Sequence, residues 1–322
     1  MLQRITGQLP SWARNDHPVT RYELGMVRVL PRRAQVLRAA GIIFLGILLF
    51  AGGYAIATGF FRHPPGQNLT ESAMAVLFWP TLVIQIFAQI AALALTVNTV
   101  AEHKRRQAWD NLRSTAGGVN LALRVRWGAV YYRLRGLLAV VLAIRLLLIL
   151  GILYDLTAFQ GKYIDLLVNG ITPDISPLVG ALLLAFMMTA SLLLPLTSLG
   201  LSAAIGLLFS VWIQQRTYST MTLIVGVFLR TALAVLLLIA ATQFVQGQLT
   251  IPDAAAWGMM GAYAGFSDWG LAFLNLGFFS EIWTSIPFGI FLGIALLFYA
   301  ILQSAVTEWV LSQAVRLAER NG

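Results

Sequence analysis

The chain contains six apolar runs, each long enough to cross a lipid bilayer as an α-helix. They cover residues of about 41–61, 74–98, 137–157, 178–213, 221–243 and 285–306. A hydrocarbon core of about 30 Å requires around 20 helical residues. With 58% hydrophobic and 11% charged residues, the chain is far more apolar than soluble domains, which contain roughly 45–50% apolar residues. The sequence therefore predicts an all-α, polytopic membrane protein.

The fourth run leaves the number of spans open. Its 36 residues, 178–213, could form two short spans, or one long helix broken near Pro195, where the missing N–H weakens the helix. One helix gives six spans and puts both termini on the same side of the membrane. Two helices give seven spans and put the C-terminus on the opposite side.

The positions of the basic residues favour six spans. Short loops rich in Lys and Arg stay on the cytoplasmic side of a membrane. With six spans, 18 of the 22 Lys and Arg residues lie on that side, and Arg62 and Lys162 lie outside. Seven spans would move Arg316 and Arg320 outside, against the rule. We therefore predict a multi-pass protein of the plasma membrane with both termini in the cytoplasm.

This topology divides the chain into a cytoplasmic arm, 1–38, and a transmembrane domain, 39–322. Within the arm, apolar residues recur at helical spacing, beginning with Val19, Tyr22 and Met26, and arginines occupy the other faces. This pattern is typical of a helix that lies on the membrane surface. The arm is therefore expected to contain an interfacial helix.

Two segments between the spans have distinctive compositions. The cytoplasmic segment 99–136 holds 8 of the Lys and Arg residues, all between Glu102 and Arg135. A basic insert of this kind is where a membrane protein usually meets a soluble partner. The outer segment 244–284 interleaves aromatic residues with glycines, which suits a membrane interface and helices too short to span.

Several kinds of chemistry lack the residues they need. The chain has no cysteine, and its three histidines lie outside the predicted spans, which argues against thiolate metal sites, disulfides and a membrane haem. No span carries a carboxylate pair or a Ser/His set, and no phosphate-binding loop is present. We therefore expect no enzymatic activity, metal or cofactor in this chain. The net charge of +9 lies mainly at the ends of spans, beside anionic lipid, so we expect no nucleic-acid partner.

Two charged residues fall inside predicted spans. At about 1.5 Å per residue, Arg145 lies roughly 12 Å inside a span that starts near Leu137, and Arg230 roughly 13 Å inside one that starts near Met221. A charge at this depth costs about 2.5 kcal/mol or more and is a functional candidate. Both are candidate contacts of an anionic substrate or lipid in a shared cavity. Alternatively, both side chains reach the headgroups or bond to backbone carbonyls.

Small and polar residues mark further helix contacts. A row of small residues recurs every four positions in the fourth run, namely Ser198, Ser202, Gly206 and Ser210. Rows of this kind allow helix backbones to approach closely, either within one bundle or at a dimer seam. Gln85 and Gln89 share one face of the second span, where interhelical hydrogen bonds are the expected role.

Three stretches resemble one known family. The run from Ala101 to Thr115, with Glu102 and Trp109-Asp110-Asn111-Leu112, resembles the segment after the second span in the membrane component of type-2 ATP-binding-cassette exporters. His17-Pro18-Val19-Thr20-Arg21-Tyr22-Glu23-Leu24 resembles the start of that family's interfacial helix. The region from Gly200 to Thr217 is similar to the cytoplasmic end of its fourth span.

The resemblance implies a permease subunit that works by alternating access. ATP would be bound and hydrolysed by a separate ATP-binding-cassette ATPase subunit, and the other partners would be a second permease copy or homologue and membrane lipids. The contacts with the ATPase would be Glu102, Trp109, Asp110, Leu112, Arg113 and Thr115. The alternative is a basic helix on anionic lipid, in a membrane subunit that anchors or scaffolds a larger complex without transporting anything.

Overall fold

The computed structural model describes residues 10–13, 18–24, 32–55, 69–101, 117–157, 177–213, 215–245, 248–252, 254–256, 258–259, 262 and 287–320. Within these residues the chain is all-helical and contains no strand. A short 3-10 turn, Ser11–Ala13, precedes the α-helices. The longer α-helices are α1 (Pro18–Leu24), α2 (Arg32–Ala55), α3 (Leu69–Thr96), α4 (Gly118–Thr157), α5 (Pro177–Trp212), α6 (Arg216–Val245) and α7 (Pro287–Arg320).

Five helices in the described part of the chain are long and apolar enough to cross a membrane. These stretches are Val76–Ala101, Gly118–Gly151, Ala185–Trp212, Thr217–Leu237 and Gly293–Arg320. Four of them lie in α4 to α7, the first comprises most of α3 and the five residues that follow it, and together they are compatible with a multi-pass membrane protein. Helix α2 covers part of the first predicted span, 41–61, and the rest of that span lies outside the described residues. The count of six spans therefore stays a prediction.

The fourth apolar run forms one continuous helix. Helix α5 extends over 36 residues and contains Pro195 in its interior. Pro195 removes one backbone N–H, but α5 packs on α3, α4 and α7 along its length, and these helices supply contacts on both sides of the proline. Of the two arrangements open from the sequence, the structure contains the single helix.

Helix α5 is the centre of the bundle. Its buried residues Ala204, Leu207 and Val211 pack with Leu311 and Ala314 of α7 in one apolar core. A second apolar core joins Leu199 and Ala203 of α5 to residues of α3 and α4. The interhelical hydrogen bond from Thr197 Oγ1 to Gln303 Oε1, 2.7 Å, also connects α5 to α7. Helix α5 thus brings residues of its neighbours together around one axis.

Helix α6 lies at the edge of the bundle and packs mainly on α3. Many of its large apolar side chains are exposed, including Ile224, Phe228 and Leu236. Near its beginning, Ser219 Oγ donates a 3.0 Å hydrogen bond to the carbonyl of Val97, just beyond α3. An apolar exposed helix suits contact with lipid acyl chains.

The N-terminal arm packs against the first half of α4. Thr20 of α1 donates to the carbonyl of Trp12 at 2.6 Å, and Tyr132 of α4 donates to the carbonyl of Ala13 at 2.7 Å. Trp12 also lies against Gly128, where a β-carbon would be 3.4 Å from the indole ring. We call this end of the bundle, which also holds the beginning of α6, the arm end.

Candidate functional site: two arginines between the helices

Arg145 lies inside the bundle, on α4, with 1% of its surface exposed. Its Nη2 donates a 2.6 Å hydrogen bond to Gln85 Oε1 of α3. Its Nη1 donates to the backbone carbonyl of Ser191 on α5. The guanidinium group therefore joins three helices in the middle of an apolar bundle.

The position of Pro195 explains the bond to Ser191. In an α-helix the carbonyl of residue 191 accepts from the N–H of residue 195, and proline has no N–H. The Ser191 carbonyl in α5 therefore lacks its normal helical donor. Since a buried carbonyl without a donor is costly, the Arg145 guanidinium stabilises α5 at its proline.

Arg230 lies on α6 and reaches toward α5 and α3. Its Nη1 donates a 2.7 Å hydrogen bond to Ser202 Oγ, and its Nη2 donates to Gln89 Oε1. Tyr299 of α7 is close enough to interact electrostatically with this cation. Unlike Arg145, Arg230 is only partly buried. It attaches the peripheral helix α6 to the centre of the bundle.

Helix α3 connects the two arginines. Gln85 and Gln89 are four residues apart, which places them on the same face and about 6 Å apart along the axis. The Gln89 amide also donates from Nε2 to Ser198 Oγ at 2.9 Å. The result is two polar layers on consecutive turns of α3, each containing one arginine and one glutamine. We call them the Arg145 layer and the Arg230 layer.

In the contacts given above, the acceptors of the hydrogen bonds from Arg145 and Arg230 are neutral groups. Both glutamines, Ser202 Oγ and the Ser191 carbonyl carry no charge. Among the described residues, the ion pairs of the arm end lie elsewhere and join Arg124 to Glu308 and Arg126 to Glu23. The acceptors given above for Arg230 are neutral, so neither of them cancels the positive charge of its guanidinium group.

Comparisons with protein-family models, with curated proteins and with solved structures find no match. The proposed function therefore rests on the contacts of Arg145 and Arg230. Within the described residues, no cluster of three or more potential ligands could hold a metal ion.

The structure turns both arginines inward. Arg145 bonds to a backbone carbonyl, one of the alternatives open from the sequence, and the Arg230 guanidinium contacts side chains of two neighbouring helices. Gln85 and Gln89 form interhelical hydrogen bonds, as their shared face predicts. The pairing of Arg145 with Ser191 had one signal in the sequence, the proline four residues after the serine. A contact of either arginine with a substrate or lipid stays a prediction.

The row of small residues in α5 faces α3 of the same chain. Ser198 accepts from Gln89, and Ser210 Oγ accepts from the backbone N–H of Val100 at 2.7 Å. A β-carbon at Gly206 would lie 3.0 Å from the carbonyl oxygen of Leu93, so glycine permits the close helix crossing. In these contacts the row serves packing within one bundle.

Sequence reasoning missed a polar cluster at the arm end. Glu23 of α1 is buried and accepts from Arg126 Nη1 of α4, and its backbone carbonyl accepts from Arg133 Nη2 at 2.7 Å. Arg126 also donates to the carbonyl of Leu95 on α3 at 3.1 Å. Two arginines of the basic insert, Arg126 and Arg133, therefore bind the arm and do not form a free surface for a partner.

The predicted ATPase contacts, Glu102, Trp109, Asp110, Leu112, Arg113 and Thr115, lie outside the described residues. The described chain stops at Ala101 and resumes at Gly117. Gly117 has a φ of 73°, a left-handed conformation that favours glycine, and α4 begins directly after it.

Proposed function

We propose that the chain is the permease subunit of an ATP-driven transporter of the plasma membrane. It would move its substrate by alternating access, together with a separate ATP-binding-cassette ATPase subunit and a second permease copy or homologue. Six spans, cytoplasmic termini and the coupling role of segment 99–136 belong to this proposal.

The observation that carries the proposal is the partly exposed Arg230 layer between apolar helices. Ionisable residues inside membrane helices are rare, face the bundle interior, and mark substrate or ion pathways. Arg145 and Arg230 have this placement, on two helices, α4 and α6, that both begin at the arm end. Both layers also include α5, the helix at the centre of the bundle.

The docked arm supports a mechanical link to a partner. Glu23 connects α1 to α4 through Arg126 and Arg133, and α4 begins at Gly118, within the basic segment 99–136. A force applied to that segment by an ATPase would reach α4 and, through Arg145, the centre of the bundle. A hydrogen-bonded path of this kind is what a coupled permease needs.

A non-transporting scaffold subunit is the second candidate, and Arg145 favours it. This side chain is enclosed, and its bonds to Ser191 and Gln85 have a structural explanation in Pro195. Such a residue stabilises a bundle without any substrate. The identity of the partner bound at segment 99–136 separates the two functions.

The test is purification of the complex in mild detergent, with the wild-type chain and a Trp109→Ala/Leu112→Ala double variant. Bulky aromatic and apolar residues such as Trp109 and Leu112, set in a basic sequence, are of the kind found at interface hot spots. We expect a nucleotide-hydrolysing subunit to co-purify with the wild type and to be lost from the double variant. A Trp309→Ala/Leu37→Ala variant, which changes two exposed side chains of α7 and α2, is the matched control and should retain the partner.

Two results would contradict the proposal. A partner without ATPase activity would indicate the scaffold. An ATPase that stays bound to the Trp109→Ala/Leu112→Ala chain would show that the coupling contacts have been assigned to the wrong residues.

A further inference from the structure

The two arginine layers differ in what they leave available to a ligand. The Arg145 side chain is closed off by three helices. Arg230 is partly exposed and, among the described residues, donates hydrogen bonds to Ser202 and Gln89. A guanidinium group has five N–H donors, so Arg230 keeps donors for a further acceptor. A third acceptor that is bidentate, such as a phosphate or carboxylate, suits the donors that remain.

Open space lies beside Arg230 on the same face of α6. Gly226 is one helical turn closer to the arm end, and a β-carbon added there would meet no atom within 4 Å. Gly226 and Arg230 are four residues apart and lie on the same face of α6, the face from which Arg230 reaches Ser202 and Gln89. On the other side of Arg230, one helical turn further along α6, the small residue Ala234 follows. We call the space at Gly226 and Arg230 the α6 notch.

The face of α6 that carries the α6 notch is apolar. Leu223 and Val227, which share this face with Gly226 and Arg230, are partly exposed. A molecule in the notch would therefore have its charged group at Arg230 and the remainder along an apolar helix surface. Only an amphiphile has both parts, since a free inorganic anion would gain nothing from the exposed apolar side chains.

We propose that the α6 notch prefers a headgroup of net negative charge, with a phosphate or carboxylate and no cationic group, on an amphiphile that enters from the membrane leaflet at the arm end. Arg230 provides the charge-assisted hydrogen bonds, Gly226 provides the space, and α6 contacts the acyl chain. Arg145 has no part in binding and serves as a structural support of α5. As a statement of substrate class this inference rests on the proposed transport function, but binding itself requires neither ATP nor the ATPase.

Site-directed fluorescence can test the notch, because the chain has no native cysteine. A Leu229→Cys variant, labelled with a small fluorophore, is reconstituted in phosphatidylcholine vesicles without partner or nucleotide. Nitroxide-labelled phosphatidylglycerol or phosphatidylcholine is then added as a quencher, and the two quenching curves give a relative binding constant. We expect a preference for phosphatidylglycerol of about tenfold, which corresponds to about 1.4 kcal/mol and is close to the lower end of what a hydrogen bond to a charged group contributes.

Two pairs of variants in this labelled background separate the notch from general attraction. Arg230→Gln should bring the preference close to one, and Arg145→Gln should leave it unchanged. Gly226→Leu should at least halve the preference by filling the notch, whereas Gly136→Leu should preserve it. Gly136 is the matched control, since it is also helical and also has no atom within 4 Å of an added β-carbon. Helix content measured by circular dichroism excludes variants that do not fold.

Three outcomes would overturn the proposal. Equal quenching by the two lipids in the parent protein would mean that the notch does not select an anion. A preference that survives Arg230→Gln would assign it to other basic residues. Competition by millimolar glycerol phosphate would show a site for a soluble anion rather than an amphiphile. The assay contains no ATPase, so its result does not depend on the proposed transport function. If the notch selects phosphatidylglycerol but no ATPase co-purifies, the binding site is supported and the transport function is contradicted.

Discussion

Arg145 and Pro195 should be energetically coupled, although they lie on different helices. Proline leaves the Ser191 carbonyl without its helical donor, and Arg145 donates to that carbonyl. Replacing Arg145 by Met removes this donor. Replacing Pro195 by Ala in the same chain restores a backbone N–H at the position from which Ser191 normally accepts. The second change should therefore offset part of the damage caused by the first.

The magnitude follows from the acceptors that lose their donor. In the Arg145→Met variant, the Ser191 carbonyl and Gln85 Oε1 both lose a hydrogen bond in a buried place, at about 1–3 kcal/mol each. Removal of a buried cation partly offsets this loss, so we expect a net decrease in unfolding free energy of about 2 kcal/mol. Pro195→Ala can recover only the part that belongs to Ser191, which gives a coupling energy of about 1–3 kcal/mol.

A double-mutant cycle measures this coupling. The wild type, both single variants and the double variant are unfolded by increasing fractions of sodium dodecyl sulfate in mixed micelles, and loss of structure is followed by tryptophan fluorescence. The control cycle combines Arg230→Met with Pro195→Ala. Arg230 bonds to Ser202 and Gln89 rather than to Ser191, so this second cycle should be additive.

Additivity in the first cycle would refute the reasoning. Independent sites add to within about 0.5 kcal/mol, and a coupling below that value would mean that the Ser191 carbonyl does not depend on Arg145. Equal coupling in both cycles would indicate a general effect of Pro195 on the shape of α5. In either case Arg145 would lose its structural explanation and would again be a candidate for ligand contact.

Two further changes test the arm and the helix crossing. Glu23→Gln should weaken docking of the arm by removing the charge that holds it to α4, and a bismaleimide reacting with Ala13→Cys and Gly136→Cys should then give less cross-linked product than in the chain with Glu23 intact. Gly206→Ala should lower the unfolding free energy by about 1–3 kcal/mol through overpacking at the crossing with α3. Removal of the Thr96 hydroxyl in Thr96→Ala should recover part of that loss, and no recovery would mean that Thr96 is not the obstacle.

The pattern of apolar residues is enough to predict the class of fold and the approximate positions of the long helices. A run of about 20 apolar residues has to be helical in a membrane because its backbone has no other hydrogen-bond partners. This reason is local, so α3 and α6 lie where the apolar runs predict. Helix α4 begins at Gly118 and α7 ends at Arg320, well beyond the apolar runs 137–157 and 285–306. Apolar length alone does not predict these extensions, because the added turns are more polar.

The partners of the two inward charges depended on tertiary structure. Arg145 could be recognised from the sequence as unusual, and Pro195 as a helix defect, but nothing local connects residues on different helices. Only the packing of α4 on α5 brings the Arg145 guanidinium group to the Ser191 carbonyl. The same holds for Glu23, whose partners Arg126 and Arg133 belong to a stretch that looked like free basic surface. Periodicity and composition decide what each segment forms, whereas the pairing of buried polar groups depends on how the helices pack.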